Sequence, residues 1–322
     1  MKRFLLIFLV FASTAFAGNS QLATGNLKFG PATWYQPAEN FPACRARGMT
    51  TICGYAATVP LDAWCAALKA NGLTAWCQYT AQTAAFFAAH PEYRQLILGW
   101  IELPDEPNGG GNATPAQCAD EYRSIKAAFP DWPILLNLDG RPLRSQTSLA
   151  TMAAYGAAGD VLAFDYYAIN DGDGPGAIVQ IGNILRMLHQ ACPGKPVIAV
   201  LESSDQDLRV SDWGKSLDAS GKVLGLSMRG PTLLEVGQSA ATAVANDAAG
   251  VIWFEQVIGA GWEKFYGVPA PIEAAMPAIN GILNANAQPR PPPANPATTR
   301  PVWMLDITLT VDGLVYDLVP RK

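Results

Sequence analysis

Eight short apolar segments recur along the chain, and alanine-rich stretches with helical periodicity lie between them. This alternation restricts the fold more than any other feature. The strand candidates are LKFGPATWY (27–35), MTTICGYAA (49–57), LTAWCQY (73–79), LILGWIEL (96–103), PILLNLD (133–139), DVLAFDYYAI (160–169), PVIAVLE (196–202) and GVIWFEQV (250–257). They are rich in β-branched and aromatic residues, and most are apolar throughout, as strands buried on both faces are. The intervening LDAWCAALKANG, TPAQCADEYRSIKAAFP and PTLLEVGQSAATAVANDAAG carry apolar residues at three- and four-residue spacing. Thr114-Pro115 offers an N-cap and a first-turn proline, Asn71-Gly72 a helix end, and Gly250 another. Alternating strands and helices predict a parallel sheet covered by helices. Eight strands select a closed (β/α)8 TIM barrel of roughly 250 residues. A doubly wound open sheet competes, but no G-x-G-x-x-G turn follows the first strand.

The ends of the chain read differently. Residues 1–17, MKRFLLIFLVFASTAFA, have a charged start, a short apolar middle and an A-F-A ending, the pattern of a secretory signal peptide cleaved after Ala17. An uncleaved membrane anchor is the alternative, and no later apolar run is long enough to span a bilayer. The barrel is expected over 22–286, a proline-rich linker over 287–301 and a short β tail over 302–322, with a hairpin turn at Asp312-Gly313. Such a ribbon is marginal alone, so it must pack on the barrel, on another protein or on a second copy. The six cysteines all follow residue 17, and an even number in an exported chain allows up to three disulfides. Cys53 and Cys77 fall in strand-like runs, where buried free thiols are also common. No cysteine spacing suits zinc, and two histidines, His90 and His189, are too few for an imidazole metal site. No metal or organic cofactor is expected. A net charge of −5 and the lack of any basic run exclude the footprint of a nucleic-acid binder.

With only 15% charged residues, the chain nevertheless places Asp105 and Glu106 side by side in GWIELPDEPNGGGN (99–112). Adjacent carboxylates repel, and burial disfavours their ionisation further. Enzymes on this barrel work at the face where strands end, so acids at strand ends carry information and acids on helices do not. Glu106 follows the fourth strand and Glu202 ends the seventh, in VIAVLESSD. Two carboxyl groups facing across one cleft are the machinery of glycoside hydrolysis. Asn137 and Asp139, ending strand five, are candidate sugar contacts. Trp34 and Tyr35 either line a subsite or plug the barrel, and Trp213 either forms a distal platform or packs its loop. Glu255 is a rival nucleophile, and Glu102 reads as a buried structural acid. The glycines at 109–111 are no phosphate cradle, because no Lys-Ser/Thr follows. Asn112-Ala113-Thr114 fits a glycosylation sequon.

The segment IELPDEPN is similar to the strand-four motif of the clan A glycoside hydrolases, an apolar strand ending in Asn-Glu-Pro. The resemblance covers roughly residues 27 to 285 and implies a role for each matching position. Glu106 would be the acid/base and Glu202 the nucleophile. Tyr167 in FDYYAIN, or Tyr166 instead, would be the tyrosine after strand six that keeps the nucleophile ionised. Trp253 in VIWFEQ would be the tryptophan of strand eight under the −1 sugar. The sequence departs from the motif at Asp105, which stands where asparagine is usual. Asparagine donates to the sugar 2-hydroxyl, whereas an ionised aspartate only accepts; its charge, however, suits a protonated neighbour. The resemblance implies retention through a glycosyl-enzyme intermediate, with carboxyl groups about 5–5.5 Å apart. Two alternatives use the same features: a barrel that binds carbohydrate without cleaving it, attached to a surface or assembly through its tail, and a lyase or transglycosylase using the same acids.

Overall fold

A computed structural model describes residues 28–101, 104–109, 112–144, 147–169, 173–206, 230–254, 266–287, 307–311 and 314–318. Eight strands form the barrel: β1 (Ala32–Trp34), β2 (Thr51–Cys53), β3 (Thr74–Gln78), β4 (Ile97–Ile101), β5 (Ile134–Asp139), β6 (Val161–Asp165), β7 (Val197–Glu202) and β8 (Gly250–Phe254). All pair in parallel in chain order, and β8 closes on β1 through Ala32↔Ile252 and Thr33↔Trp253. Each strand falls inside its expected run. The fold is a closed (β/α)8 barrel.

Around it lie helices α1 (Phe41–Ala46), α2 (Leu61–Asn71), α3 (Ala81–Ala89), α4 (Pro115–Ala128), α5 (Gly140–Leu143), α6 (Leu149–Gly156), α7 (Val179–Ala191), α8 (Leu233–Ala245) and α9 (Ala270–Ala287). Thr114 caps α4: its side chain accepts from the Gln117 amide while Gln117 reaches back to the Thr114 amide. Thr80 and Thr232 build the same reciprocal cap on α3 and α8. Gly72 ends α2 at φ 61°, a conformation that favours glycine. Gly250 ends no helix. The chain leaves α8 at Ala245, and Gly250 opens β8.

Side-chain alternation divides the core into two layers. Trp34, Cys53, Trp76, Leu135, Val161, Ala163, Ile198, Val200 and Ile252 fill the barrel interior. Ile52, Cys77, Trp100, Leu136, Leu138, Phe164, Leu201 and Trp253 face the helices. Strand β4 breaks the rhythm. Its register with β3 jumps from Ala75↔Ile97 to Trp76↔Gly99, so Leu98 is an extra residue and both Leu98 and Ile101 turn inward. Gly99 is demanded there by close approach: a Cβ would lie 2.2 Å from the Pro133 carbonyl oxygen and 2.6 Å from the Trp76 ring.

The expected disulfides do not form. All six cysteines are free and buried. Alternation separates the two strand cysteines, since Cys53 faces the barrel interior and Cys77 the helix layer. Burial pushes the Cys65 thiol up to about 12 and raises those of Cys53, Cys77 and Cys192 as well, so these are inert thiols. The tail forms the predicted hairpin, Ile307–Val311 pairing antiparallel with Leu314–Leu318, and it lies against α8 and α9. That packing supplies what a lone ribbon lacks. The turn Asp312-Gly313, the linker from residue 288 to 301 and residues 1–27 lie outside the described residues. No helix among the described residues is long and apolar enough to cross a membrane.

Candidate active site

The alternation that fills the barrel also decides which polar groups reach its C-terminal mouth. Along β5 the inward series is Leu135, Asn137, Asp139; along β6 it is Val161, Ala163, Asp165; along β7 it is Ile198, Val200, Glu202. Each strand thus ends its apolar plug with a buried polar or acidic side chain. Asn137 and Glu202 are 2% exposed, Asp139 and Asp165 7%. Asp139 and Asp165 are direct ladder partners.

Glu106 comes from the loop after β4, with its backbone at φ 50°. Non-glycine residues enter that region only when their surroundings hold them there. Here the holding bonds are clear. The Glu106 carbonyl accepts from the Gly109 amide at 2.9 Å and from Asn112 Nδ2 at 3.2 Å. Asn108 Oδ1 accepts from the Asp139 amide at 2.8 Å while its Nδ2 donates to the Asp139 carbonyl at 2.9 Å. Gly109 rests on Asp139, where a Cβ would lie 3.0 Å from Oδ2. The loop is clamped onto the end of β5.

The carboxyl groups are unequally supplied with partners. Asp139 Oδ1 accepts from the Arg141 amide at 2.9 Å and from Arg141 Nε at 3.4 Å, capping α5. Glu202 Oε1 accepts from the Ile169 amide at 2.7 Å. Asp105 reaches solvent at the rim, but its carboxylate lies against protein and Oδ1 accepts from Asn137 Nδ2 at 2.9 Å. Desolvation and the charge of Glu106 raise it above the usual aspartate range, opposed by the bonds from Asn137 and the Glu106 backbone. Asp165 is held well above that range, by burial first, then by its hydrogen bond with Glu106 and the nearby acids Asp105 and Asp139. Among the described residues its Oδ1 has no partner, nor has Asn137 Oδ1.

Aromatic rings complete the mouth. Tyr167 lies against Phe254 with ring centroids 5.0 Å apart. Trp34 stacks on Tyr35 at 5.6 Å. Tyr35 sits at φ 42° and is raised by burial, while its hydroxyl bonds Gln78. Gly54, at φ 91°, makes room, since a Cβ there would be 2.7 Å from the Tyr35 ring.

No protein-family profile matches this chain, and no curated protein matches it in sequence. Solved structures do match in fold. A β-galactosidase from the psychrophilic Marinomonas ef1 superposes with a TM-score of 0.56 at 9% identity, over 80% of this chain and 60% of the other. A β-D-glucuronidase of Dictyoglomus thermophilum gives 0.52 at 11%, over 79% and 50%. A family 39 glycoside hydrolase from the gut symbiont Bacteroides cellulosilyticus WH2 gives 0.51 at 13%, over 80% and 64%. The chain shares its barrel fold with these glycoside hydrolases. It spans about half to two thirds of the length of these three proteins.

On this barrel the expected residues separate into two groups. Asp105, Glu106, Asn137, Tyr167, Glu202, Trp34 and Tyr35 gather at the C-terminal ends of their strands or in the loops that follow. Tyr166 does not join them. It points to the helix side, 1% exposed, where its hydroxyl donates to Asp173 at 2.9 Å and accepts from Arg144 at 2.7 Å. Trp253 also corrects the sequence reading. It is fully buried on the outer face of β8, and its indole N–H donates to Asn280 Oδ1 of α9 at 2.8 Å. A ring in that place cannot form the floor under a sugar; Phe254, the next residue, faces inward instead. Asp165 was not singled out by sequence reasoning, although counting by twos from Val161 places it on the inward face. Glu102, Trp213 and Glu255 lie outside the described residues. His90 caps the end of α3 and His189 lies in the last turn of α7, where helix-end residues were expected. Among the described residues no His, Cys, Asp and Glu cluster has the arrangement of a metal site.

Proposed function

We propose that this chain is an exported, retaining glycoside hydrolase that cleaves O-glycosidic bonds of an oligo- or polysaccharide by double displacement. The feature that supports the reading is the placement of Glu106 on the clamped loop after β4 and of Glu202 at the buried inner end of β7, both on the C-terminal side of the barrel. Glu202 attacks the anomeric carbon as a carboxylate, aided by the Ile169 amide. Glu106 protonates the departing glycosidic oxygen and then takes a proton from the water that releases the sugar. The chemistry requires no metal or organic cofactor. The Tyr167, Phe254, Trp34 and Tyr35 rings suit the apolar faces of a sugar, and Asp105, tied to Asn137, accepts from a hydroxyl. Export rests on the character of residues 1–17.

The deciding experiment exposes wild type and Glu202→Gln to a panel of 2-deoxy-2-fluoro glycosyl fluorides and weighs the intact proteins. A single glycosyl adduct on wild type, missing from the variant, supports retention and the nucleophile assignment. No adduct with any sugar, combined with binding on glycan arrays and no turnover, replaces the hydrolase with a carbohydrate-binding barrel.

A further inference from the structure

We infer that Asp165 is the positioning residue of this site: an uncharged carboxylic acid whose O–H donates to Glu106 and stabilises the carboxylate that remains once Glu106 has protonated the leaving oxygen. The inference rests on the hydrolase reading above.

Asp165 sits in a buried and acidic setting. It ends the inward series of β6 at 7% exposure. From the loop after β4 it faces Glu106 and Asp105, and from β5 it faces Asp139, its ladder partner. On the β7 side it pairs with apolar Val200, and Glu202 further along that strand is bonded to the Ile169 amide. The charged groups acting on Asp165 among the described residues are therefore all acidic. Its neighbours have donors of their own, Arg141 for Asp139 and Asn137 for Asp105. Among the described residues Asp165 has none: Oδ1 is unpartnered and the carboxyl bonds Glu106. A buried carboxylate without donor or cation is costly, so the group keeps its proton. Two carboxyl groups in contact hold together only when one of them is such a donor. The raised proton affinity of Asp165 from burial and from Glu106 agrees with this, and neutral acids are known to serve as hydrogen-bond donors in this way.

The steps balance without further reactants. In the first, the Glu106 O–H bond breaks and its proton joins the glycosidic oxygen. The C1–O bond breaks with its electron pair onto that oxygen, and a Glu202 oxygen bonds C1. Glu106 is now a carboxylate, and the intact Asp165 O–H points at it. In the second step, water adds to C1, its proton returns to Glu106, and Glu202 leaves. Asp165 keeps its proton throughout.

The test compares Asp165→Asn, which remains uncharged and keeps a donor, with Asp165→Leu, which has none. Asp165→Asn is expected to stay close to wild type in kcat/KM and in the position of the alkaline limb of its pH profile. Asp165→Leu should lose about 10- to 100-fold, the worth of a hydrogen bond to a charged group. Its alkaline limb should move to higher pH by roughly one unit, because the carboxylate form has lost its donor. An Asn variant that falls as far as the Leu variant overturns the inference, since it would mean that Asp165 acts as a charge. A second readout needs no activity. At about pH 6, some two units above the ordinary aspartate value, wild type minus Asp165→Asn should show the infrared carbonyl stretch of a protonated, buried carboxylic acid. Absence of that band overturns the inference whatever the kinetics. A band in a protein that no fluoro sugar labels counts against the hydrolase reading and leaves the proton-bearing pair in place.

Discussion

Asn108 grips Asp139 by both backbone groups, accepting from its amide at 2.8 Å and donating to its carbonyl at 2.9 Å. A loop side chain thereby completes the edge that the end of β5 would otherwise leave open. Two residues earlier stands Glu106, at a backbone angle it would not keep unaided. Asn108→Ala is expected to cost about 1–2 kcal/mol in urea unfolding, two hydrogen bonds at ordinary worth. Turnover of a glycoside with a poor alkoxide leaving group should slow more than the lost stability explains, because the proposed acid is no longer held, whereas fluoro-sugar labelling of Glu202, whose fluoride leaves without an acid, should keep its rate. Turnover of that glycoside at the wild-type rate would show that the clamp does not position Glu106.

The two aromatic residues that end β8 should respond differently to substitution. Trp253→Phe strips a buried partner from Asn280 and is expected to destabilise by about 1–3 kcal/mol while sugar affinity stays unchanged. Phe254→Ala opens the mouth beside Tyr167 and should weaken sugar binding with a smaller effect on stability. Isothermal titration and thermal unfolding of both variants separate the cases. Loss of sugar binding in Trp253→Phe with normal stability would restore that residue to the site.

Stability should depend on pH through Asp165 and Asp105, whose folded forms hold protons more tightly than the unfolded chain does. The sign follows from linkage. As pH rises past about 3.9 the unfolded chain releases these protons first, so stability falls until the folded groups ionise too. Asp165→Asn removes its share of that loss. Its melting temperature should match wild type near about pH 3 and exceed it increasingly toward about pH 7, as followed by calorimetry. A constant difference across that range would mean that Asp165 ionises normally in the folded protein.

Thiol counting checks the cysteines directly. Without reductant, the denatured protein should titrate all six thiols, whereas the native protein should react only as fast as it opens. Fewer than six in denaturant would reveal a disulfide.

The strand count, the parallel barrel and the place of Glu106 and Glu202 at strand ends were all legible because they depend on local pattern. A buried parallel strand must be apolar along its length, and a helix between two such strands must be amphipathic. The cysteines were read less well, because parity of number says nothing about which way each side chain points. Cys53 and Cys77 lie on adjacent strands but in different layers.

By itself, the sequence determined the architecture and the segments that end at the C-terminal face of the barrel, since hydrophobic periodicity is a one-dimensional signal that burial enforces at every turn. Only the tertiary structure decided which residues of those segments share the mouth. The inward face of each strand is set by register, which chooses Tyr167 over Tyr166 and Phe254 over Trp253, while the bulge at Leu98 re-aims β4 alone. The contact between Glu106 and Asp165 is likewise tertiary. Asp165 lies far along the chain, and the parallel pairing of β4, β5 and β6 brings its carboxyl against Glu106.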